Sequence, residues 1–506
     1  MTDLAPTTPV IVGIGFAEDH HDDPTESPEA YRLMVEAARS ADADAGTPAL
    51  LPAIESIAVT QGLWNYRNPG KLIAETLGCP SAASILAGLG VLQLAPLSDL
   101  CRTIAAGEQE VGLVTGGEAR YRALRSAVTA TPVADTEQDE RTPPPDVHHL
   151  TADLACSDLE SKRGLYSPIA FFAIIESALR HRRGLSVEAH RDELARLYEA
   201  CSAVAAANPH AWSRTVVSAA DIRDPSAKNA MQAFPYTKRH CSQWNVNQAV
   251  AILVCSARKA AELGVPRERW IFPLAATESK HVVVLAQKRR LDSHPGTVVA
   301  GERLLALADT AIRDVTAAEL YSCFPAALQS FAQDLRLPTE PPPTVTGTMA
   351  FAGGPFNHAS LAGVARMVEA LRTGPTGERR IGLVANLSAI FGKQACALFS
   401  NQPNPRGYAY EDVTAAVAAR DVPVPLDADY AGSATIVGYT VVFEQGEASH
   451  AVAICDTPAG TRTVARSDAP ALVAAMMQRE FCGRRVAVAS DGTFNAALDT
   501  DASARP

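Results

Sequence analysis

Three stretches carry residue types and spacings that could do chemistry. Glu319-Leu320-Tyr321-Ser322-Cys323-Phe324-Pro325 places a cysteine two residues before a proline. Proline suits the first turn of a helix, so Cys323 is expected just ahead of a helix running to Leu335. The partial positive charge of a helix N-terminus favours thiolate and lowers the thiol pKa. A buried cysteine packed beside Phe324 is the structural alternative. Gly353-Gly354-Pro355-Phe356-Asn357-His358 reads as a second helix entrance. Paired glycines let a ligand approach the backbone. Free amides at the helix start can hold an oxyanion or carbonyl oxygen, and His358 could act as acid or base. A tight strand–helix turn with a surface histidine would use the same residues. Phe234-Pro235-Tyr236-Thr237-Lys238-Arg239-His240 is a basic and aromatic run. Lys238, Arg239 and His240 could contact the phosphates or adenine of a bulky cofactor, or form a solvated loop.

Other motifs fall away. Gly13-Ile14-Gly15 follows a strand, but the third glycine of a dinucleotide fingerprint is replaced by Glu18. The run Glu18 to Asp23 holds four acids and two histidines, yet consecutive residues cannot all face one ion. His148-His149 reads as another solvated loop. No GxSxG is present. Ten cysteines are scattered without a CxxC pair, which leaves zinc ribbons and redox motifs unsupported and fits reduced, mostly buried thiols. No metal site is expected.

The elements that must position these residues alternate strand and helix, the pattern of a layered α/β fold. Thr8 to Gly15 and Ile54 to Thr60 read as strands. A helix is expected to open at Ser27-Pro28-Glu29, with serine as its cap. The helix from about Pro96 to Ala106 aligns Leu97, Leu100, Cys101 and Ile104 on one face, ends at Gly107 and feeds a strand from Val111 to Thr115. The same unit recurs 270 residues later: helix Ser360 to Arg372, Gly374, then Ile381-Gly382-Leu383-Val384. A duplication follows from this match, from the strand at Arg269 to Ala275 and from the helix from Gly301. Residues 120–225 read as a helical insertion. Asn401 to Tyr410 reads as a linker to a small β-rich appendage, and the tail from Leu498 is expected to fray. The expected division is 1–265, 266–402 and 410–498.

With 506 residues, 47% hydrophobic and 20% charged, the chain can bury a large core. A formal net charge of −11 argues against a general nucleic-acid binder. No apolar run is long enough to span a membrane, and Met1 to Pro9 lacks the pattern of a signal peptide. A cytoplasmic location is therefore expected.

The duplicated halves, the insertion and the loops together resemble the thiolase superfamily over about residues 8–400. The likeness is clearest in IAAGE running into Val111 to Gly117, in PYTKRHCSQWNVNQA, in ELYSCFPAA and in MAFAGGPFNH. With the β-rich appendage, the chain is most similar to the thiolase-like protein type 1 group. The resemblance implies a duplicated five-layered α-β-α-β-α fold that binds coenzyme A or acyl-CoA, a small-molecule thioester, as a homo- or hetero-oligomer. It also implies a nucleophilic cysteine ahead of the first-half helix, but that position falls on Gly90, within Gly88-Leu89-Gly90-Val91-Leu92. A second catalytic cysteine would fall near Ala385 or Asn386, where there is none. The Gly-His-Pro loop of thiolases reads Gly353-Gly354-Pro355, without its histidine. Cys323 looks like the cysteine of the sterol-carrier branch. Ordinary thiolase chemistry needs an acyl-enzyme cysteine, a base and a second acid–base cysteine. The resemblance therefore implies an acyl-CoA-binding protein without ordinary thiolase activity, its site lined by Cys323, Gly353, Gly354, Asn357 and His358. Two alternatives stay open: an acyltransferase or C–C bond enzyme using Cys323, and a non-catalytic or partner-dependent subunit in lipid metabolism.

Overall fold

The computed structural model describes residues 4–47, 49–151, 156–374 and 377–497; the tail expected to fray lies outside them. Strand β1 (Pro9–Glu18) runs through the first sheet with β2 (Ser56–Thr60), β3 (Ala83–Ala87), β4 (Val111–Ala119) and β5 (Val147–His149). A hairpin of β6 (Met231–Ala233) and β7 (Tyr236–Thr237) departs, and β8 (Asn247–Ser256) returns to give the order β1-β8-β4-β2-β3-β5. The second sheet holds β9 (Phe272–Ser279), β10 (Ala317–Leu320), β11 (Ile381–Ser388), β12 (Lys393–Ser400) and β13 (Ala409–Asp412), in the order β10-β11-β12-β9-β13.

The duplication is written in the pairing. β2 and β4 are parallel, then β4–β8 and β8–β1 are antiparallel. β10 and β11 are parallel, then β11–β12 and β12–β9 are antiparallel. The VGLV and IGLV runs open the equivalent strands β4 and β11. Both strands are apolar on both faces because helices cover both sides. The helices Ala95–Ala105 and Ala359–Arg372 lie between the sheets: Leu97, Leu100, Leu361, Val364 and Val368 share one buried cluster with Val114, Ile252, Val384 and Ala397. Helices Ala30–Ala45 and Pro295–Leu307 cover the outer faces. This is the five-layered arrangement. Gly13 and Gly15 serve that layering, since a Cβ there would sit 2.1 Å from the Ala41 carbonyl oxygen and 2.0 Å from that of Ala37.

Three local expectations change. The first helix starts at Ala30, and Ser27 does not cap it; its hydroxyl instead donates to Asp19 at 2.5 Å. His148 and His149 lie in β5, an exposed edge strand parallel to β3, so the helical insertion also extends the sheet. In the acidic run, His20 stacks on Trp212 and His21 pairs with Asp19. No group of three or more potential metal ligands gathers among the described residues.

The third sheet comprises β14 (Gly432–Glu444), β15 (Glu447–Asp456), β16 (Arg462–Ser467), β17 (Arg485–Val488) and β18 (Phe494–Asn495). Its order is β16-β15-β14-β17-β18, and a bridge from Arg466 to Thr493 curls the last strand back beside β16. β6 adds to β14 through Ala233–Val442. Among the described residues, no helix is long and apolar enough to cross a membrane.

Candidate functional site

A cavity of about 670 Å³ opens where the two halves meet. Its walls come from seven places in the chain, one of them Gln232 of the β6–β7 hairpin. The loop after β3 gives Gly90, Val91 and Gln93. The start of helix Pro168–Arg182 gives Pro168, Ile169 and Phe172. Cys241, Ser242 and Trp244 precede β8. Tyr321, Cys323 and Phe324 follow β10, and Met349, Gly354, Phe356 and Asn357 precede helix Ala359–Arg372. Leu387 to Ile390 close the far side. The lining is mainly apolar, with amide and hydroxyl groups interspersed and no lysine or arginine among the lining residues. That composition suits an apolar ligand oriented by few polar contacts.

The Gly90 loop is held from the second half. Its carbonyl accepts from Ser388 Oγ at 3.0 Å and Lys393 Nζ at 3.3 Å. Gln93 N–H donates to Asn386 Oδ1 at 2.9 Å, Asn386 Nδ2 donates to Ser360 Oγ at 2.9 Å, and Ser360 N–H donates to Gln93 Oε1 at 2.7 Å. Asn386 is thus a fully buried structural link between the halves. Gly90 itself has φ +87°.

Cys323 sits one residue before the N-cap Phe324 of helix Pro325–Leu335, so its placement matches the sequence reading. Its expected acidity does not. Desolvation drives its thiol pKa well up, against the opposing pull of the amide N–H groups of Phe324 and Cys323. The thiol is the resting form. Neighbouring Cys241 is likewise pushed up, to about 12, by burial. Alkylation of Cys323 by iodoacetamide should therefore still accelerate at pH 10, followed by peptide mass spectrometry; a plateau near pH 8 would show a thiolate site. The Cys323 loop is clamped by Ser242, whose N–H and Oγ both donate to the Cys323 carbonyl, at 3.2 and 2.9 Å.

The Gly353–His358 segment divides. Gly354 and Asn357 line the cavity. The Gly354 amide is not free, because it donates to the Gln243 carbonyl at 2.9 Å. Asn357 is buried, and its Nδ2 has no hydrogen-bond partner. That Nδ2 is enclosed in the wall, so a ligand would reach it only after the side chain turns toward the cavity. Gly353 and His358 line a separate, narrower pocket behind that wall. His358 is not a surface residue: it is 2% exposed, and desolvation lowers its pKa to about 3, with the Gln248 backbone acting the other way. It is a neutral imidazole outside the large cavity.

The basic run also divides. Lys238 is exposed, Arg239 donates to the Asp221 carbonyl at 3.2 Å, and His240 is buried against Thr237, with burial lowering its pKa to about 4. None of the three lines the cavity. The residues just after them do: Cys241, Ser242 and Trp244. Trp244 is 46% exposed at the mouth, and the Arg120 guanidinium lies 5.0 Å from its ring centroid. An exposed tryptophan next to a basic run was the available signal. Nothing local marked Phe172 or Gln232 as wall residues.

The model of the thiolase-like protein type 1 additional C-terminal domain matches residues 412–493. The solved structure of a monomeric SCP2-thiolase like protein type 1 from Mycobacterium smegmatis superposes with TM-score 0.80 at 25% identity, covering 98% of this chain and 100% of that one. The chain is a thiolase-fold protein with the type 1 additional C-terminal domain. The Ltp2-ChsH2(DUF35) aldolase matches at TM-score 0.58 and 18% identity, covering 79% of this chain and 99% of its own. Acetyl-CoA acetyltransferase from Syntrophomonas wolfei matches at TM-score 0.55 and 18% identity, covering 78% and 99%. These two share the fold alone. No curated protein matches the chain.

Proposed function

We propose that the protein binds an acyl-CoA thioester in the large cavity and does not carry out ordinary thiolysis. One observation supports this reading: Gly90, which the thiolase resemblance places at the nucleophile position, lines one mainly apolar chamber together with Cys323 and Asn357. Turned into the cavity, Asn357 Nδ2 would donate to the thioester carbonyl. The acyl group would lie against Phe172, Met349, Leu387 and Ile390. The coenzyme A phosphates have no cationic partner among the lining residues, so they would lie outside, near the Arg120–Trp244 pair. Lys238 and Arg239 are not part of this proposal. Its setting would be lipid metabolism in the cytoplasm.

A second reading, an acyltransferase using Cys323, draws on the amide N–H groups beside its sulfur. Acylation would require the thiol proton to leave as the Cys323–acyl bond forms and free coenzyme A departs. Intact-protein mass after incubation with acetyl-CoA and octanoyl-CoA separates the two readings, alongside calorimetric titration of wild type, Asn357→Ala and Cys323→Ala. We expect no adduct, measurable octanoyl-CoA binding, and about a tenfold loss in Asn357→Ala, the worth of one ~1.4 kcal/mol hydrogen bond. An adduct absent from Cys323→Ala would establish the acyltransferase. No binding at all would leave the partner-dependent subunit.

A further inference from the structure

The additional C-terminal domain touches the cavity walls from behind, through two routes. The first is the helix Pro168–Arg182. Its first turns supply Pro168, Ile169 and Phe172 to the cavity, and the Phe172 ring lies 5.1 Å from that of Phe324, next to Cys323. Its last turns are gripped by the C-terminal domain. Ser177 Oγ accepts from the Tyr439 N–H at 2.8 Å. Arg180, 1% exposed, donates from Nε to Glu480 at 2.9 Å and from Nη2 to Tyr439 Oη at 2.8 Å. Tyr439 in turn donates to the Arg479 carbonyl at 2.9 Å. Gly438 of β14 is pressed so closely on the helix that a Cβ would stand 2.8 Å from Ile174 Cγ2. Every residue from Ala170 to Arg180 is buried, which a surface helix with one solvent face would not show.

The second route is the β6–β7 hairpin. Gln232 lines the cavity, and the next residue, Ala233, pairs with Val442 of β14. The Phe234 N–H donates to the Val441 carbonyl at 2.8 Å, and Thr440 Oγ1 donates to the Phe234 carbonyl at 2.9 Å. Phe234 is buried in the C-terminal domain's own core. The hairpin leads directly into Cys241 and Ser242, and Ser242 clamps the Cys323 carbonyl.

We propose that the C-terminal domain positions the cavity walls: the lock of Arg180, Tyr439 and Glu480 holds helix Pro168–Arg182, and with it Phe172, against the Cys323 loop. The domain is thus part of the site's scaffold and not a tethered module acting elsewhere. A packed helix moves as a unit, so loosening one end shifts the side chains at the other. These three are positioning residues. The inference rests on the cavity alone, whatever ligand fills it.

The thiols report on it without a ligand. Cys323 and Cys241 line the cavity, whereas Cys101 and Cys255 lie in the sheet core. Full-length wild type, Glu480→Gln and Tyr439→Phe are treated with N-ethylmaleimide at pH 8.5, and labelling of each cysteine is timed by peptide mass spectrometry. Removing the Glu480 charge is expected to speed Cys323 and Cys241 labelling at least threefold, and Tyr439→Phe to do so to a smaller degree, with Cys101 and Cys255 unchanged. Arg466→Gln, which removes the Asp468 ion pair and makes no contact with helix Pro168–Arg182 among the hydrogen bonds and ion pairs, should match wild type. Unchanged Cys323 rates in both lock variants would overturn the proposal. So would equal acceleration at all four cysteines, because that is global loosening and not a wall set by the lock.

Discussion

Replacing Glu176 by alanine is expected to cost about 3–5 kcal/mol of stability, since each buried polar group left without its partner costs about 1–3 kcal/mol. Glu176 is fully buried in helix Pro168–Arg182. It accepts from Tyr236 Oη at 2.5 Å and Gln329 Nε2 at 2.8 Å, and pairs with His190 Nε2 at 2.8 Å. Alanine would strand all three. Tyr236 also accepts from the Ala326 N–H at 3.2 Å and stacks on Phe324, so the network caps the helix behind Cys323. Burial raises the Glu176 pKa, but the hydrogen bonds and the charge of His190 outweigh it, and the net direction is down. A carboxylate with a depressed folded pKa contributes stability that is full above its unfolded value, about 4.3, and is lost as pH falls through the folded value. Urea unfolding should therefore show the gap between wild type and Glu176→Ala closing below about pH 4. Tyr236→Phe, which keeps the other two partners, should lose less. A Glu176→Ala midpoint equal to wild type at pH 7 would mean that the network is not formed.

The layered core was legible in the sequence because its signals are local. Long apolar runs gave the buried strands, and the repeated helix, glycine and strand unit gave β4 and β11 as equivalents. The site was legible only where one segment carried it: Cys323 before its helix, and Gly354 with Asn357 in one loop. Phe172 and Gln232 reach the cavity from elements far from those segments in the chain, and nothing in their own neighbourhoods announces it. The chemistry of Cys323 was misread for a reason of magnitude. A helix terminus contributes roughly 0.3–1 kcal/mol, less than one pKa unit. Full desolvation can shift a pKa by up to about 3–5 units the other way. Burial, which sequence position did not reveal, decides the sign. His358, read as an acid or base, and His240, read as a contact to a cofactor, follow the same logic: burial lowers the pKa of both.

Gly353→Ala should do the largest damage at the site itself. Gly353 has φ +103°, where an L-residue is strained, and a Cβ there would lie 2.0 Å from Gln248 Oε1. The left-handed backbone costs about 1–2 kcal/mol and forced overpacking about 1–3 kcal/mol, so a loss of about 2–5 kcal/mol is expected. The side chain in the way is not free to swing. Gln248 Nε2 donates to the His210 carbonyl at 3.2 Å and to the Ala352 carbonyl at 3.0 Å, tying β8 to the loop that carries Gly354 and Asn357. Displacing Gln248 removes its bond to the His210 carbonyl and leaves the Ala352 carbonyl held by the Trp212 N–H alone, so the loop loosens and octanoyl-CoA binding should weaken at least tenfold by calorimetry. Gly264→Ala is the matched control: its φ is +71° but nothing lies within 4 Å of the added Cβ. It should lose only the conformational share, about 1–2 kcal/mol, and keep binding intact. If urea unfolding and titration find the two variants alike, Gln248 yields without cost and the Gly353 loop is not what holds Asn357 in the wall. If Gly353→Ala alone loses binding, the loop geometry sets the site, and the glycine is required by the glutamine behind it.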